Sequence, residues 1–99
     1  MRSLLALALV ATGAALAAST HEVKMEAIQF SPATLSVQRG ETVSWRNNDV
    51  VPHTVTAAGK FDSGNVAPGK TFSKKMDRPG AYDYICSYHP GMKGRIDVK

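Results

Sequence analysis

One cysteine, Cys86, stands in a chain of 99 residues. A single thiol excludes an internal disulfide, so packing or a bound group has to hold the domain together. Histidine is nearly as scarce, with His21, His53 and His89 the only three, too few imidazoles for several metal centres in one chain. No acidic residue precedes Glu22, and no apolar run reaches the roughly 20 residues of a membrane span. Long blocks of one charge are missing too. The 12 Lys and Arg residues are interleaved with 8 Asp and Glu, for a formal charge of +4. Without a recognised motif, that pattern argues against nucleic-acid binding.

What is present begins with a leader. Arg2, the apolar stretch Leu4 to Val10, the alanine-rich run behind it and the small-x-small site Ala15-Leu16-Ala17 read as a secretory signal peptide. That places the signal peptide at residues 1–18, with cleavage after Ala17 or Ala18, and one mature domain at residues 19–99 in the periplasm with no membrane anchor. Losing Arg2 lowers the formal charge from +4 to +3. A domain of this size has a thin core, and secreted examples generally carry disulfides. A lone thiol in an oxidising compartment therefore calls for another role. Metal ligation protects the sulfur and adds binding energy to folding. Cleavage after Ala18 would also leave Ser19-Thr20-His21, a free amine with histidine third that can chelate Cu(II); cleavage after Ala17 removes that arrangement.

From Glu22 onward the chain reads as short strands separated by turn residues. Val23, Met25 and Ala27 alternate with Glu22, Lys24 and Glu26, but Ile28 and Phe30 fall on the opposite parity. A bulge or a change of sheet near Ala27 accounts for that flip. Leu35 with Val37, Val43 with Trp45, His53 with Val55 and Ala57, Phe72 with Met76, and Ile96 with Val98 mark further strands. Trp45 is expected in the core with a partner for its indole N–H. Asn47-Asn48-Asp49 and Arg78-Pro79-Gly80 are turn chemistry. Tyr82, Tyr84 and Cys86 share a face, so the thiol continues an inward row. The sum is about seven strands and no helix, predicting an all-β, antiparallel Greek-key β-sandwich. Lys70, Lys74, Lys75 and Arg78 form either a solvated strand face or a docking surface for an acidic redox partner.

The chemistry concentrates in Tyr82-Asp83-Tyr84-Ile85-Cys86-Ser87-Tyr88-His89-Pro90-Gly91-Met92. Cys86, His89 and Met92 follow at equal three-residue steps, putting thiolate, imidazole and thioether on one short loop. His53, in Val51-Pro52-His53-Thr54-Val55, is the natural fourth donor. Two imidazoles, a thiolate and a weak axial methionine form the donor set of a blue copper centre. Soft sulfur favours Cu(I) and imidazole tolerates both oxidation states. Taken singly, each has a plainer reading: the cysteine a small buried hydrophobe, the methionine core filler. Zinc fits the same ligands less well, since methionine is an uncommon zinc ligand. Copper trafficking is the competing role, but Met25, Met76 and Met92 are scattered rather than clustered.

These segments, with Val43-Ser44-Trp45-Arg46-Asn47, resemble the cupredoxins, the plastocyanin/azurin-type blue copper family, on its amicyanin-like branch. The short Cys-x-x-His-x-x-Met spacing favours that branch, and the resemblance covers the mature chain. It implies an eight-stranded Greek-key sandwich holding one type 1 copper on His53, Cys86, His89 and Met92. It further implies a monomeric one-electron carrier rather than an enzyme. The ring edge of His89 would be its port, between a donor such as a periplasmic dehydrogenase and an acceptor such as a c-type cytochrome. Asn47 matches a family asparagine that ties the His53 segment to the ligand loop at Ser87. Tyr88 departs from the amicyanin pattern, which has proline there, and so alters loop stiffness and the polarity of the exposed edge.

Overall fold

The computed structural model describes residues 19–99, and the signal-peptide reading of residues 1–18 lies outside them. Nine strands run in chain order: β1 (Thr20–Glu26), β2 (Gln29–Ser31), β3 (Thr34–Val37), β4 (Thr42–Asn47), β5 (Thr56–Ala57), β6 (Phe61–Asp62), β7 (Thr71–Lys75), β8 (Gly80–Cys86) and β9 (His89–Val98). They form a sheet of order β2-β1-β4-β7 and another of order β3-β9-β8-β5-β6. The β1–β2, β5–β6 and β8–β9 pairs join sequence neighbours as antiparallel hairpins, whereas the β1–β4 and β3–β9 pairs join distant strands and are parallel. This is the all-β two-sheet sandwich that the alternation predicts, with no helix among the described residues, but the two parallel pairs correct the expectation of a purely antiparallel one.

The strand count exceeds the seven of the sequence reading and the eight of the resemblance. The first apolar segment is two strands, and Phe61–Asp62 forms one of its own. The parity flip near Ala27 is neither a bulge nor a change of sheet. It is a tight hairpin in which Glu26 faces Gln29 across the two-residue turn Ala27-Ile28. Both turn residues have positive φ, 53° and 57°, which suits the right-handed twist of a hairpin but is costly for a β-branched side chain. The amides of Ala27 and Ile28 donate to the Asp49 carboxylate at 2.7 and 3.0 Å, which offsets that strain.

Between the sheets lies an aromatic core. Val23, Met25, Val43, Trp45 and Ile96 are fully buried, each at an inward position of an alternating strand. Trp45 meets Tyr84 edge-on (5.5 Å between centroids, 87°), and Tyr84 meets Phe30 the same way (4.7 Å, 75°). Such edge-to-face pairs contribute about 0.5–1.5 kcal/mol beyond the area they bury. Room for Tyr84 depends on Gly94, where a Cβ would lie 2.3 Å from the ring. The expected partner for the indole is missing: Trp45 Nε1 and Tyr84 Oη are both buried without a hydrogen bond. Burial pushes the Tyr84 hydroxyl up to about 12.

Candidate metal centre

β8 delivers Cys86 at its C-terminal end, fully buried and in line with buried Tyr84. The sequence reading put His89 and Met92 on a loop; instead, β9 already begins at His89. The register then slips. Ile85 faces Lys93, but Cys86 faces His89, so Pro90, Gly91 and Met92 are extra residues on the β9 side. This bulge lets a two-residue turn, Ser87-Tyr88, bring the histidine back beside the cysteine while Met92 turns inward, 3% exposed. Bulges commonly re-aim side chains in this way.

His53 arrives from a different direction. Only Thr56–Ala57 of the predicted strand pairs as one, and His53 sits before it on an isolated bridge to Val66. Both its backbone groups are used there, His53 N donating to Val66 O (3.1 Å) and Val66 N to His53 O (2.8 Å). The ring is fully buried. Its Nε2 lies 2.7 Å from Asp49 Oδ2. Burial alone would raise the Asp49 carboxyl, but hydrogen bonds from His53 and from the Ile28 and Ala27 amides outweigh it and hold it below the usual range. An ionised carboxylate can only accept, so Nε2 carries a proton, and in the neutral imidazole Nδ1 has the lone pair. That lone pair faces the cysteine: Nδ1 is 3.7 Å from Cys86 Sγ. The Thr54 amide also donates to the sulfur, at 3.3 Å.

The His53 and His89 rings stand edge-to-face with centroids 5.3 Å apart. Cys86 and His53 are thus brought together, as are His53 and His89, while Met92 is buried on the same bulge that returns His89 to Cys86. Among the described residues, no group of three or more His, Cys, Asp or Glu side chains is gathered tightly enough to hold an ion by itself. The convergence is pairwise, and thioether sulfur lies outside that donor class. In kind, two imidazoles and two soft sulfurs fit copper better than zinc.

Three buried polar residues occur among the described positions, Asn47, His53 and Thr54, all at this end of the molecule. Asn47 Nδ2 donates to Val51 O (2.9 Å) and Val66 O (3.0 Å), while its Oδ1 accepts from Asp49 N (2.9 Å). It therefore braces the His53 segment from below and does not reach Ser87, which corrects the tie implied by the resemblance. Thr54 makes that link. Its Oγ1 accepts from Ser87 N at 2.8 Å and pairs with Ser87 Oγ at 2.9 Å. Sequence reasoning missed Thr54, because alternation assigns the residue after His53 to the outward face. It also took Asp49 for a turn residue alone. Tyr88, half-exposed, uses its hydroxyl on Asn65 Oδ1 at 2.8 Å, so the departure from proline adds a side-chain brace to the loop.

Residues 17–99 match the model of copper binding proteins of the plastocyanin/azurin family. Amicyanin-alpha of Methylorubrum extorquens is 36% identical over 92 residues, covering 83% of this chain and 74% of that one. Plastocyanin of Scenedesmus fuscus is 35% identical over 91 residues, covering 74% of this chain and 89% of the relative. Among solved structures, a Cu(I) form of an amicyanin mutant superposes with a TM-score of 0.76 at 27% identity, covering 81% of this chain and 82% of the other. A purple cupredoxin from Nitrosopumilus maritimus superposes with a TM-score of 0.75 at 28% identity, over 80% of this chain and 99% of its own. The chain belongs to the plastocyanin/azurin family of copper-binding proteins, the blue copper electron-transfer proteins, whose metal is copper.

Proposed function

We propose that this chain is a periplasmic one-electron carrier, not an enzyme, binding one type 1 copper through His53, Cys86, His89 and Met92. The observation that carries this reading is the orientation of His53, with Nε2 held by Asp49 and Nδ1 facing the only thiol at 3.7 Å. Copper bound there would supply exchange of a single electron between Cu(I) and Cu(II). The chain's own residues supply rigidity. Asp49 and the Val66 bridge fix the imidazole, Thr54 fixes the turn after Cys86, and its amide adjusts electron density on the sulfur. Donors held this firmly move little between oxidation states, which keeps the cost of reorganisation low.

Electron exchange with other proteins needs an edge of the site at the surface. His89 is partly exposed, unlike buried His53. The exposed large hydrophobic residues among the described positions are Ile28, Val50 and Tyr88, at 41%, 91% and 50%. Each is next to, or hydrogen-bonded to, Asp49 or His89. An apolar rim at the end of the molecule that carries Asp49, His53 and partly exposed His89 suits brief docking of redox proteins. On this reading the donor is a dehydrogenase and the acceptor a c-type cytochrome, with the carrier acting as a monomer.

Visible and electron-paramagnetic spectra of the copper-loaded protein test the reading. An intense thiolate-to-copper band, bleached reversibly by reductant, is the expected result. Cys86→Ser abolishes the band, whereas Met92→Gln keeps copper and lowers the potential. An unchanged band in the Cys86→Ser protein overturns the ligand set.

A further inference from the structure

We propose that the open cleft between β6, β7 and the start of β8 is a docking surface for the acidic face of a protein partner. This surface is separate from the apolar rim at His89. The cleft has a volume of about 310 Å³, and its lining includes Lys60, Phe61, Lys74, Lys75, Arg78 and Tyr82. It sits at the opposite end of the sandwich from the thiol. Lys75 pairs with Thr42 at the start of β4, whereas Asn47 at its far end braces the His53 segment. Tyr82 precedes Cys86 by four positions on β8, about 13 Å along an extended strand.

Charge and shape identify the partner. Lys60 Nζ lies 5.0 Å above the centroid of the Tyr82 ring and Lys74 Nζ 5.6 Å above that of Phe61. The aromatic faces hold these ammonium heads in place beside the cleft, which lowers the entropy lost on binding. Among the described residues, no carboxylate lies within 4.0 Å of Lys60, Lys74 or Arg78. The Lys75–Asp77 pair spans 3.9 Å with both side chains mostly exposed, and such pairs are weak in water. Tyr82 Oη donates to Arg78 O at 2.8 Å, fixing the segment that carries the arginine. Four cations around two rings thus face one carboxylate.

A free inorganic anion is a poorer fit, because the cations stand around an open rim and the buried lining residue is the apolar Met76. Nucleic acid fits less well too, since Asp77 interrupts the stripe that a phosphate backbone would follow. Spaced carboxylates on a protein surface meet the lysine heads while apolar groups meet the rings. That the partner is a redox protein rests on the electron-carrier reading; its acidity rests on the cleft alone. Complementary charge of this kind acts chiefly on association rate and on register.

The test is a titration of the ¹⁵N-labelled, reduced protein with a hexaglutamate peptide at low ionic strength. Amide shifts are expected at residues 59–61, 74–78 and 82. Lys60→Glu with Lys74→Glu should weaken binding by roughly tenfold or more, and Lys60→Arg with Lys74→Arg should preserve it. Four results overturn the proposal: shifts centred on Val50, Tyr88 and His89; no shifts; equal binding by the charge-reversed protein; or the same pattern from inorganic phosphate at equal charge. Tighter binding of a DNA duplex at this cleft overturns it as well. Failure of the electron-carrier reading is seen separately, in the visible spectrum of the unaltered protein.

Discussion

β4 carries a carboxylate knot at each end, and the two are built alike. Before the strand, Glu41 accepts from Ser19 Oγ and from Gln38 N at 2.7 Å, and His21 Nε2 lies 3.0 Å away. After it, Asp49 accepts from the Ala27 and Ile28 amides, with His53 Nε2 at 2.7 Å. Both carboxyls are held below their usual range. Only one knot belongs to a candidate metal centre. The His21 side chain is 32% exposed, whereas His53 is fully buried and turns its second nitrogen toward Cys86. A carboxylate–histidine pair is therefore no mark of a metal site by itself. The mark is a buried ring whose other nitrogen faces a soft donor.

Breaking the strand between the knots is expected to have the largest effect. Trp45→Ala removes the centre of the aromatic core and should cost about 3–5 kcal/mol in urea unfolding of the metal-free protein. A loss below about 1 kcal/mol would mean that the core collapses around the gap. Asp49→Ala comes next. It leaves the strained Ala27-Ile28 turn and His53 Nε2 without their acceptor, at a cost of about 1.5–3 kcal/mol. It should also weaken copper binding measured by competition with a chelator. Unaltered metal affinity in that variant would sever the link between this knot and the site.

Glu41→Gln sharpens the contrast, because its effect should depend on pH and leave the copper spectrum alone. The folded carboxyl of Glu41 is lowered from 4.5 to about 2, chiefly by the hydrogen bond from Ser19. Its stabilising contribution is fully present above 4.5 and is lost as pH falls through about 2. The wild type should therefore lose stability more steeply across that window than Glu41→Gln does. Parallel acid-denaturation curves would count against the knot. Smallest of all is Tyr84→Phe, which removes a buried hydroxyl that has no partner. Stability should stay within about 0.5 kcal/mol or rise. A larger loss, read from the same urea curves, would point to a bonding partner for the hydroxyl.

Legibility followed chemistry more than position. Period-two alternation placed Val23, Met25, Val43, Trp45 and Ile96 inside, because one face of each strand has to leave water. The same rule failed at Thr54, which alternation sends outward but which is buried to hold Ser87. It failed again at Ala27-Ile28, where the parity flip was visible but its cause was not. Hairpin turns with positive φ ordinarily announce themselves with Asn or Gly. Here the conformation is sustained by Asp49, which is 21 positions from Ile28 in sequence. No local signal could reveal that support.

By itself, the sequence determined that this is an all-β domain with one thiol, two histidines and a methionine suited in kind to copper. Donor identity and strand alternation are properties of residues and their spacing. The tertiary structure alone decided which nitrogen of His53 looks at the sulfur, that Thr54 rather than Asn47 ties the ligand turn, and that Lys60 joins Lys74 beside a pair of rings. Those features depend on contacts between segments distant in the chain, and such contacts exist only once the two sheets have closed on each other.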